Sequence, residues 1–242
     1  MTPRPPLRRR PLAGTLLAAT LLAASLTGCG LRDPGPTTTE TREIGPATGV
    51  RLEVSGTVSV SVGGEPSLTV TGGENLLDDL RTQVVGDVLV IDLDRPGGWL
   101  GGDVQVDAVL PTLESVRVTG SGTVDVGALK GTALAIDVSG SGAVTAANLA
   151  LDAVSANIGG SGDIKVAGTT RSQDVRIGGS GTYAAEGLES EEARVDIGGS
   201  GRADVTVTKY LDVRIGGSGT VTYAGDPTVT SQVAGSGSVS QR

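Results

Sequence analysis

The chain has no histidine and a single cysteine, Cys29. That removes the commonest general base, the commonest metal ligand and any thiol pair, so serine triads and zinc sites are excluded. Carboxylates remain, and three groups of them stand close in sequence: Asp78 with Asp79, Asp92 with Asp94, and Glu189 with Glu191 and Glu192. Clusters of this kind serve sugar chemistry in polysaccharide lyases and hydrolases built on stacked strands. Each group here has a simpler reading, as a solvated cap, an outward strand face and a loop between strands. The expectation is therefore no catalytic residue, no cofactor and no metal, and a protein that is not an enzyme. A polysaccharide-processing enzyme is the alternative, and a structural or stress-sensing envelope module a third.

Cys29 carries the clearest chemistry. Arg4, Arg8, Arg9 and Arg10 precede an apolar run from Leu12 to Leu26, and Leu26-Thr27-Gly28-Cys29 follows. A basic start, a short apolar stretch and small residues make a secretory signal, and the run falls below the ~20 residues of a spanning helix. The last four residues resemble the lipobox of bacterial lipoproteins, in which the peptide is cut between the residues at Gly28 and Cys29 and the cysteine is acylated. Residues 1–28 are thus expected to be a signal peptide, and Cys29 the lipidated anchor of an exported protein held on a membrane. With the only thiol consumed, no intramolecular disulfide is available, and packing and backbone pairing must hold the fold. Without residues 1–28 the chain keeps 15 basic and 27 acidic residues, a net charge of −12. Nucleic acid and anionic lipid surfaces are disfavoured as partners. Residues 29–48, rich in Pro, Thr and Gly, read as a flexible tether.

The rest of the sequence is organised by a repeat. Gly-Ser-Gly occurs seven times, with its serine at Ser121, Ser141, Ser161, Ser180, Ser200, Ser218 and Ser236, at spacings of 18 to 20 residues. Apolar-polar-apolar triplets flank it: Val116-Arg117-Val118 leads to Val124-Asp125-Val126, and Val213-Arg214-Ile215 to Val221-Thr222-Tyr223. Alternation with period two in Val- and Ile-rich segments predicts half-buried strands. Twenty residues at ~3.3 Å each go once round a flattened coil and can stack on the next about 4.8 Å away. One unit cannot bury its own apolar side, so the fold class is all-β, a parallel β-solenoid or β-helix over residues 49–242.

In such a stack the polar middles of the first triplets overlie one another: Arg117, Asp137, Asn157, Arg176, Asp196, Arg214 and Gln232. No like charges are neighbours in that series, as cross-strand electrostatics requires. Parity turns the flanking glycines and Tyr183 and Tyr223 inward, and the serines outward. The serine column is then either a stripe of hydroxyls or the outside of a tight corner, and glycine at bends favours the corner. A calcium-binding nonapeptide reading of Gly159 to Asp163 fails, because the aspartate is one place early and Ile164 holds the equivalent position. A phosphate loop fails as well, since no lysine follows.

Residues 49–111 are less regular. Val50 to Val60 is a shortened copy of the coil pattern, followed by a strand at Leu68 to Val70 and a helical turn at Asn75 to Leu80. Strands follow near Thr82 to Val85, Val88 to Leu93 and Val104 to Leu110, with a glycine-rich loop at Gly97 to Gly102. They are expected to form the first coils and a cap. Trp99, in that loop, is the candidate binding contact or a lid over the apolar stack.

The run Val50 to Val60, then Gly73-Glu74-Asn75-Leu76-Leu77, Val88-Leu89-Val90-Ile91, and Val104 to Pro111 leading into Val116 to Gly122, resembles the putative auto-transporter adhesin head, or GIN domain. The resemblance covers about residues 46 to 240. It implies a β-solenoid exported to the cell envelope, often as a lipoprotein, and brings no catalytic residues. The chain departs from many relatives in having Val where Phe or Ile is usual and in a short corner from Val54 to Thr57. The expected partners are the membrane, through the lipid on Cys29, and a cell-wall glycan or surface protein.

Overall fold

The computed structural model describes residues 33–94 and 103–242; the expectations for Gly28, Cys29 and Trp99 lie outside them. From the N-terminal side come β1 (Thr37–Arg42), β2 (Gly49–Leu52), β3 (Gly56–Val62), β4 (Ser67–Gly73), a six-residue helix α1 (Glu74–Asp79), β5 (Leu80–Val85), β6 (Val88–Leu93) and β7 (Val104–Leu110). The repeat then supplies β8 (Ser115–Val118), β9 (Thr123–Val126), β10 (Leu129–Val138), β11 (Ala143–Ile158), β12 (Asp163–Ile177), β13 (Thr182–Ile197) and β14 (Arg202–Ile215). The chain closes with β15 (Thr220–Ala224), β16 (Thr228–Val233) and β17 (Ser238–Gln241).

Parallel pairing between consecutive repeats gives the expected β-solenoid. One ladder enters the Gly-Ser-Gly corner, a second leaves it, and a third returns the chain to the start of the next coil. The polar residues that sequence places in one column are register partners throughout: Arg117 with Asp137, Asp137 with Asn157, Asn157 with Arg176, Arg176 with Asp196, Asp196 with Arg214 and Arg214 with Gln232. Val, Ile, Leu and Ala from alternate positions fill the interior, and Tyr183 is fully buried among them.

The corners are as closely paired as the strands. Ser141 N–H donates to Gly120 O at 3.2 Å, Ser161 to Gly140 at 3.1 Å, Ser180 to Gly160 at 3.1 Å and Ser200 to Gly179 at 3.0 Å. A Cβ on Gly140, Gly160, Gly179, Gly199, Gly217 or Gly235 would lie under 3.0 Å from the carbonyl oxygen of the glycine one coil below. Close backbone approach therefore fixes these glycines. Positive φ does not, for none of these glycines has one; the positive-φ glycines Gly168 and Gly225 lie at other bends of the coil. Variation in coil length is absorbed away from this corner. The 19-residue spacing appears as a register shift between Ala146 and Leu149, and the 18-residue spacing as shifts between Ala185 and Glu189 and between Ser190 and Glu192.

Three expectations for the first part of the chain are corrected. The coil at Val50 to Val60 is not shortened: Leu52 is level with Val118 and Thr57 with Thr123, so Val54-Ser55-Gly56 replaces Gly-Ser-Gly residue for residue. Coil order is not chain order either, since β2 pairs with both β6 and β8, and β3 with both β7 and β9. The first segment thus lies inside the stack, with the later β6 and β7 forming the coil outside it.

The third correction concerns residues 37–42, assigned by composition to the tether. They form β1, antiparallel to β4. Arg42 fixes this strand, donating to the carbonyl oxygens of Leu80 at 2.6 Å and Leu77 at 2.9 Å while pairing with Glu40 at 2.8 Å. Its guanidinium thus meets the C-terminal carbonyls of α1, where a cation is favoured. Together β1, β4, α1 and β5 close this end of the stack with antiparallel strands; Leu76 and Leu77 turn the helix's apolar side into the core.

Gly160→Ala should lower stability by roughly 2–3 kcal/mol, because the new methyl meets the Gly140 carbonyl and backbone cannot swing aside. Ser161→Ala, at the exposed tip of the same corner, should change it by less than about 0.5 kcal/mol. Equal denaturation midpoints for the two variants would refute the corner as the pinned element.

Candidate functional site

With serines outside and glycines inside, the Gly-Ser-Gly corner is a convex ridge. The concave surface lies where the returning ladder turns into the entering one, as a groove of about 1020 Å³. Two columns of outward residues line it. The first is Ala133, Ala153, Ser172, Glu192 and Tyr210, and the second Ala135, Ser155, Asp174, Arg194 and Asp212, each level paired in register with the next. Five levels at ~4.8 Å make the columns about 19 Å long. At the end nearer the cap the floor is Ala and Ser, so the groove is made by leaving side chains out. Toward the other end it becomes charged and finishes at Tyr210, which is 59% exposed. A second hollow of about 360 Å³ shares Ala135 and Ser155 with it and carries the trough on to Val85, Val88 and Val90 beside β5 and β6.

Charge beside the groove alternates in two directions. Asp174 and Arg176, Arg194 and Asp196, and Asp212 and Arg214 occupy three successive levels, so every neighbour along a strand or across the ladder has the opposite sign. The ion pairs form along the strands: Arg176 to Asp174 at 3.0 Å and Arg214 to Asp212 at 2.7 Å. Across the ladder Arg117 lies 4.0 Å from Asp137, whose other oxygen accepts from Asn157 Nδ2 at 2.9 Å. The column expected from the sequence is present, but Asp196 is not the residue with which Arg176 and Arg214 close these pairs. Exposed pairs of this type contribute about 0–1 kcal/mol each; their chief effect is on register.

Behind the groove floor runs a buried polar chain. Tyr183 Oη donates to Gln173 Oε1 at 2.8 Å, Gln173 Nε2 donates to Ser190 Oγ at 2.9 Å, and Ser190 Oγ donates to Thr206 O at 2.9 Å. Each member has a partner, so the chain ties three coils together without an orphaned group.

The acidic groups singled out in the sequence are dispersed. Asp78 and Asp79 belong to α1, Asp92 and Asp94 both pair with Arg81 at 2.9 and 3.3 Å, and Glu191 pairs with Lys209 at 2.8 Å. Asp92 raises the proton affinity of Arg81, and Glu191 that of Lys209, first through the side-chain hydrogen bond and then through charge. Only Glu192 of these acids reaches the groove. No three acidic, histidine or cysteine side chains converge as a metal site among the described residues. Tyr210 is the groove residue that sequence reasoning passed over. Its signal was parity alone: it precedes the inward Leu211, in the polar run Thr208-Lys209-Tyr210.

Residues 48–227 match the family model for the putative auto-transporter adhesin, head GIN domain. Among solved structures, the chain is similar to a putative adhesin from Bacteroides fragilis, at 21% identity and a TM-score of 0.83, over 87% of this chain and 100% of that one. It is also similar to a putative lipid binding protein from Parabacteroides distasonis, at 27% identity and a TM-score of 0.74, over 87% and 99% of the two chains. A putative adhesin from Parabacteroides distasonis has 21% identity and a TM-score of 0.69, again over 87% and 99%. No curated protein matches the chain.

Burial pushes the phenol of Tyr183 well above the usual tyrosine range. The folded state therefore holds a proton that the unfolded chain releases above about pH 10. Stability due to this group should be intact below that pH and fall as pH rises beyond it. Tyr183→Phe should flatten the alkaline slope while costing roughly 1–2 kcal/mol at neutral pH, from the acceptor left unpaired on Gln173. Denaturation midpoints from pH 8 to 11 test both, and an unchanged slope in the variant would count against a buried, protonated Tyr183.

Proposed function

This chain belongs to the putative auto-transporter adhesin, head GIN domain family, and from that membership we propose that it is an exported envelope lipoprotein that binds without catalysis. Residues 1–28 are removed, Cys29 is acylated, and the segment between Cys29 and β1 is the linker. Because β1 lies in the closed end of the stack, that end faces the membrane and the remaining coils project away from it.

The groove is the contact surface, and the observation that carries this reading is its construction: small residues at three successive levels, Ala133, Ala153 and Ser172, leading to the exposed ring of Tyr210. A trough of about 19 Å suits an extended polymer. A ring at its end, with Glu192, Arg194 and Asp212 nearby to hydrogen-bond hydroxyls, suits a cell-wall glycan, since sugars pack their apolar faces on aromatic rings. An acyl chain fits less well, because Asp174, Arg194 and Asp212 lie in the same column. Catalysis is disfavoured by the dispersal of the acidic clusters and by the arginine partners of Asp174 and Asp212.

Tyr210→Ala should weaken binding of cell-wall glycan fragments about tenfold, equivalent to ~1.4 kcal/mol, and Ala153→Arg, which fills the floor, should abolish it. Unchanged affinity in both variants would remove the groove from the mechanism, and shortening of the glycan on incubation would overturn the non-catalytic reading. Cys29→Ser should separately abolish incorporation of a labelled fatty acid; retained label would refute the anchor.

A further inference from the structure

The two ends of the stack are built differently. The closed end finishes in antiparallel strands, with Glu40 and Arg42 on β1 and Arg81 on β5. Charge of this kind keeps an edge strand from pairing with another chain. At the opposite end β16 pairs with β14 and β17 with β15, and among the described residues no strand pairs with the other edge of either. From Thr228 to Gln241 there is no charged residue and no proline. The inward positions of this last coil are Val229, Ser231 and Val233 on β16, level with Leu211, Val213 and Ile215, and Val239 and Gln241 on β17, level with Val221 and Tyr223. Val233 is 43% exposed where its counterpart Ile215 is 1% exposed.

We propose that this end is a self-association surface, on which a second copy of the chain pairs around a two-fold axis through the Ser236 corner. β16 runs toward that corner and β17 away from it, so the rotation lays β16 of one copy antiparallel to β17 of the other, and the reverse. Residues equally far from Ser236 then face each other, which sets Val233 against Val239 of the partner subunit. Both are inward positions, and the rotation keeps them inward; it also sets Ser231 against Gln241 of the partner subunit, so that a valine pair and a hydrogen-bonding pair on each side close the two core ends. An extended peptide would occupy only one of the two edges and leave the core end open. A second solenoid end presents two edges at the same separation, with Val229, Val233 and Val239 between them. Isologous pairing of this kind is also closed, so it stops at two copies and forms no filament.

The pairing does not depend on the anchor. Combined with the anchored reading above, it has a consequence, because the closed ends then lie at opposite extremes of the pair. The ladder that leaves the corner carries eleven strands, from β1 to β17, and so measures about 48 Å per copy. A pair would join two membranes about 100 Å apart, and the chain would adhere to itself across them.

Cysteine cross-linking of the full chain in detergent, in a Cys29→Ser background, tests the pairing. Ser236→Cys should give a covalent dimer on mild oxidation, whereas Ser141→Cys, on the same ridge but in mid-stack, should not. Val233→Lys, at the 43% exposed position, with Val239→Lys should reduce the Ser236→Cys cross-link at least tenfold while the far-ultraviolet circular dichroism stays that of the folded β-solenoid. No dimer from Ser236→Cys, or equal dimer from both positions, would overturn the proposal, and so would an undiminished cross-link in the double-lysine variant. Clustering of vesicles that carry the acylated chain tests the anchored orientation separately. Cross-linking without clustering would leave the pairing standing and remove the bridging role.

Discussion

Backbone stacked directly on backbone at the Gly-Ser-Gly corner is the constraint from which the rest follows. From Gly140 to Gly217 the carbonyl of one glycine occupies the space where a methyl on the glycine above would stand, and the amide of the serine that follows the upper glycine donates to it. No side chain separates one corner from the next, so the distance between coils there is set by a hydrogen bond alone. Every other ladder inherits that spacing. Valine then falls above valine, the charged column stays in step, and length changes are expelled to the other bends of the coil, where side chains can reposition.

Much of this was legible because an in-register stack makes distant residues neighbours in a way that arithmetic on positions can follow. The spacing of the serines predicted the ladders, parity placed Tyr183 in the core, and the order of Arg117, Asp137, Asn157, Arg176, Asp196 and Arg214 gave the polar column in its correct sequence. What failed to show was whatever the repeat does not encode. Thr37 to Arg42 has no apolar alternation, since a strand at the closed end of the sheet needs only backbone partners and the anchoring of Arg42, so composition made it a linker. The insertion of β2 and β3 between later strands is invisible for a related reason: local pattern states that a segment is a coil but not which coil it rests on. Register between strands could not reveal the direction of the arginine pairs, because Asp174 and Asp212, two residues away along the same strands, compete with Asp196 for the same guanidiniums.

The groove illustrates a further limit of repeat reading. A solenoid whose outward residues were all large would be a smooth prism; a trough appears where several successive levels carry alanine or serine. That information lies in what the outward positions lack, and a search for reactive residues passes over it. The support behind the trough lies at its charged end, where the hydrogen-bonded chain from Tyr183 through Gln173 and Ser190 to the Thr206 carbonyl holds β12, β13 and β14 to one another. Polar atoms so placed demand partners at defined positions, which apolar contacts alone would not.

The difference between the two ends bears on how a parallel stack can exist in solution at all. Each added coil buries the apolar side of the last and exposes its own, so stacking by itself never terminates. At one end the chain solves this by reversing strand direction and placing charge on the outermost strands. At the other, the strand pattern persists, charge is confined to Asp226 and Arg242 on either side of the last strands, and the inward valines remain partly exposed. An end that was merely tolerated would be expected to carry the lysines, prolines or bulges with which edge strands are commonly blunted. Their absence over residues 228–241, in a chain with 19% charged residues, is intelligible if that surface is to be covered, and the near-symmetry of the strands about Ser236 supplies a cover of matching shape.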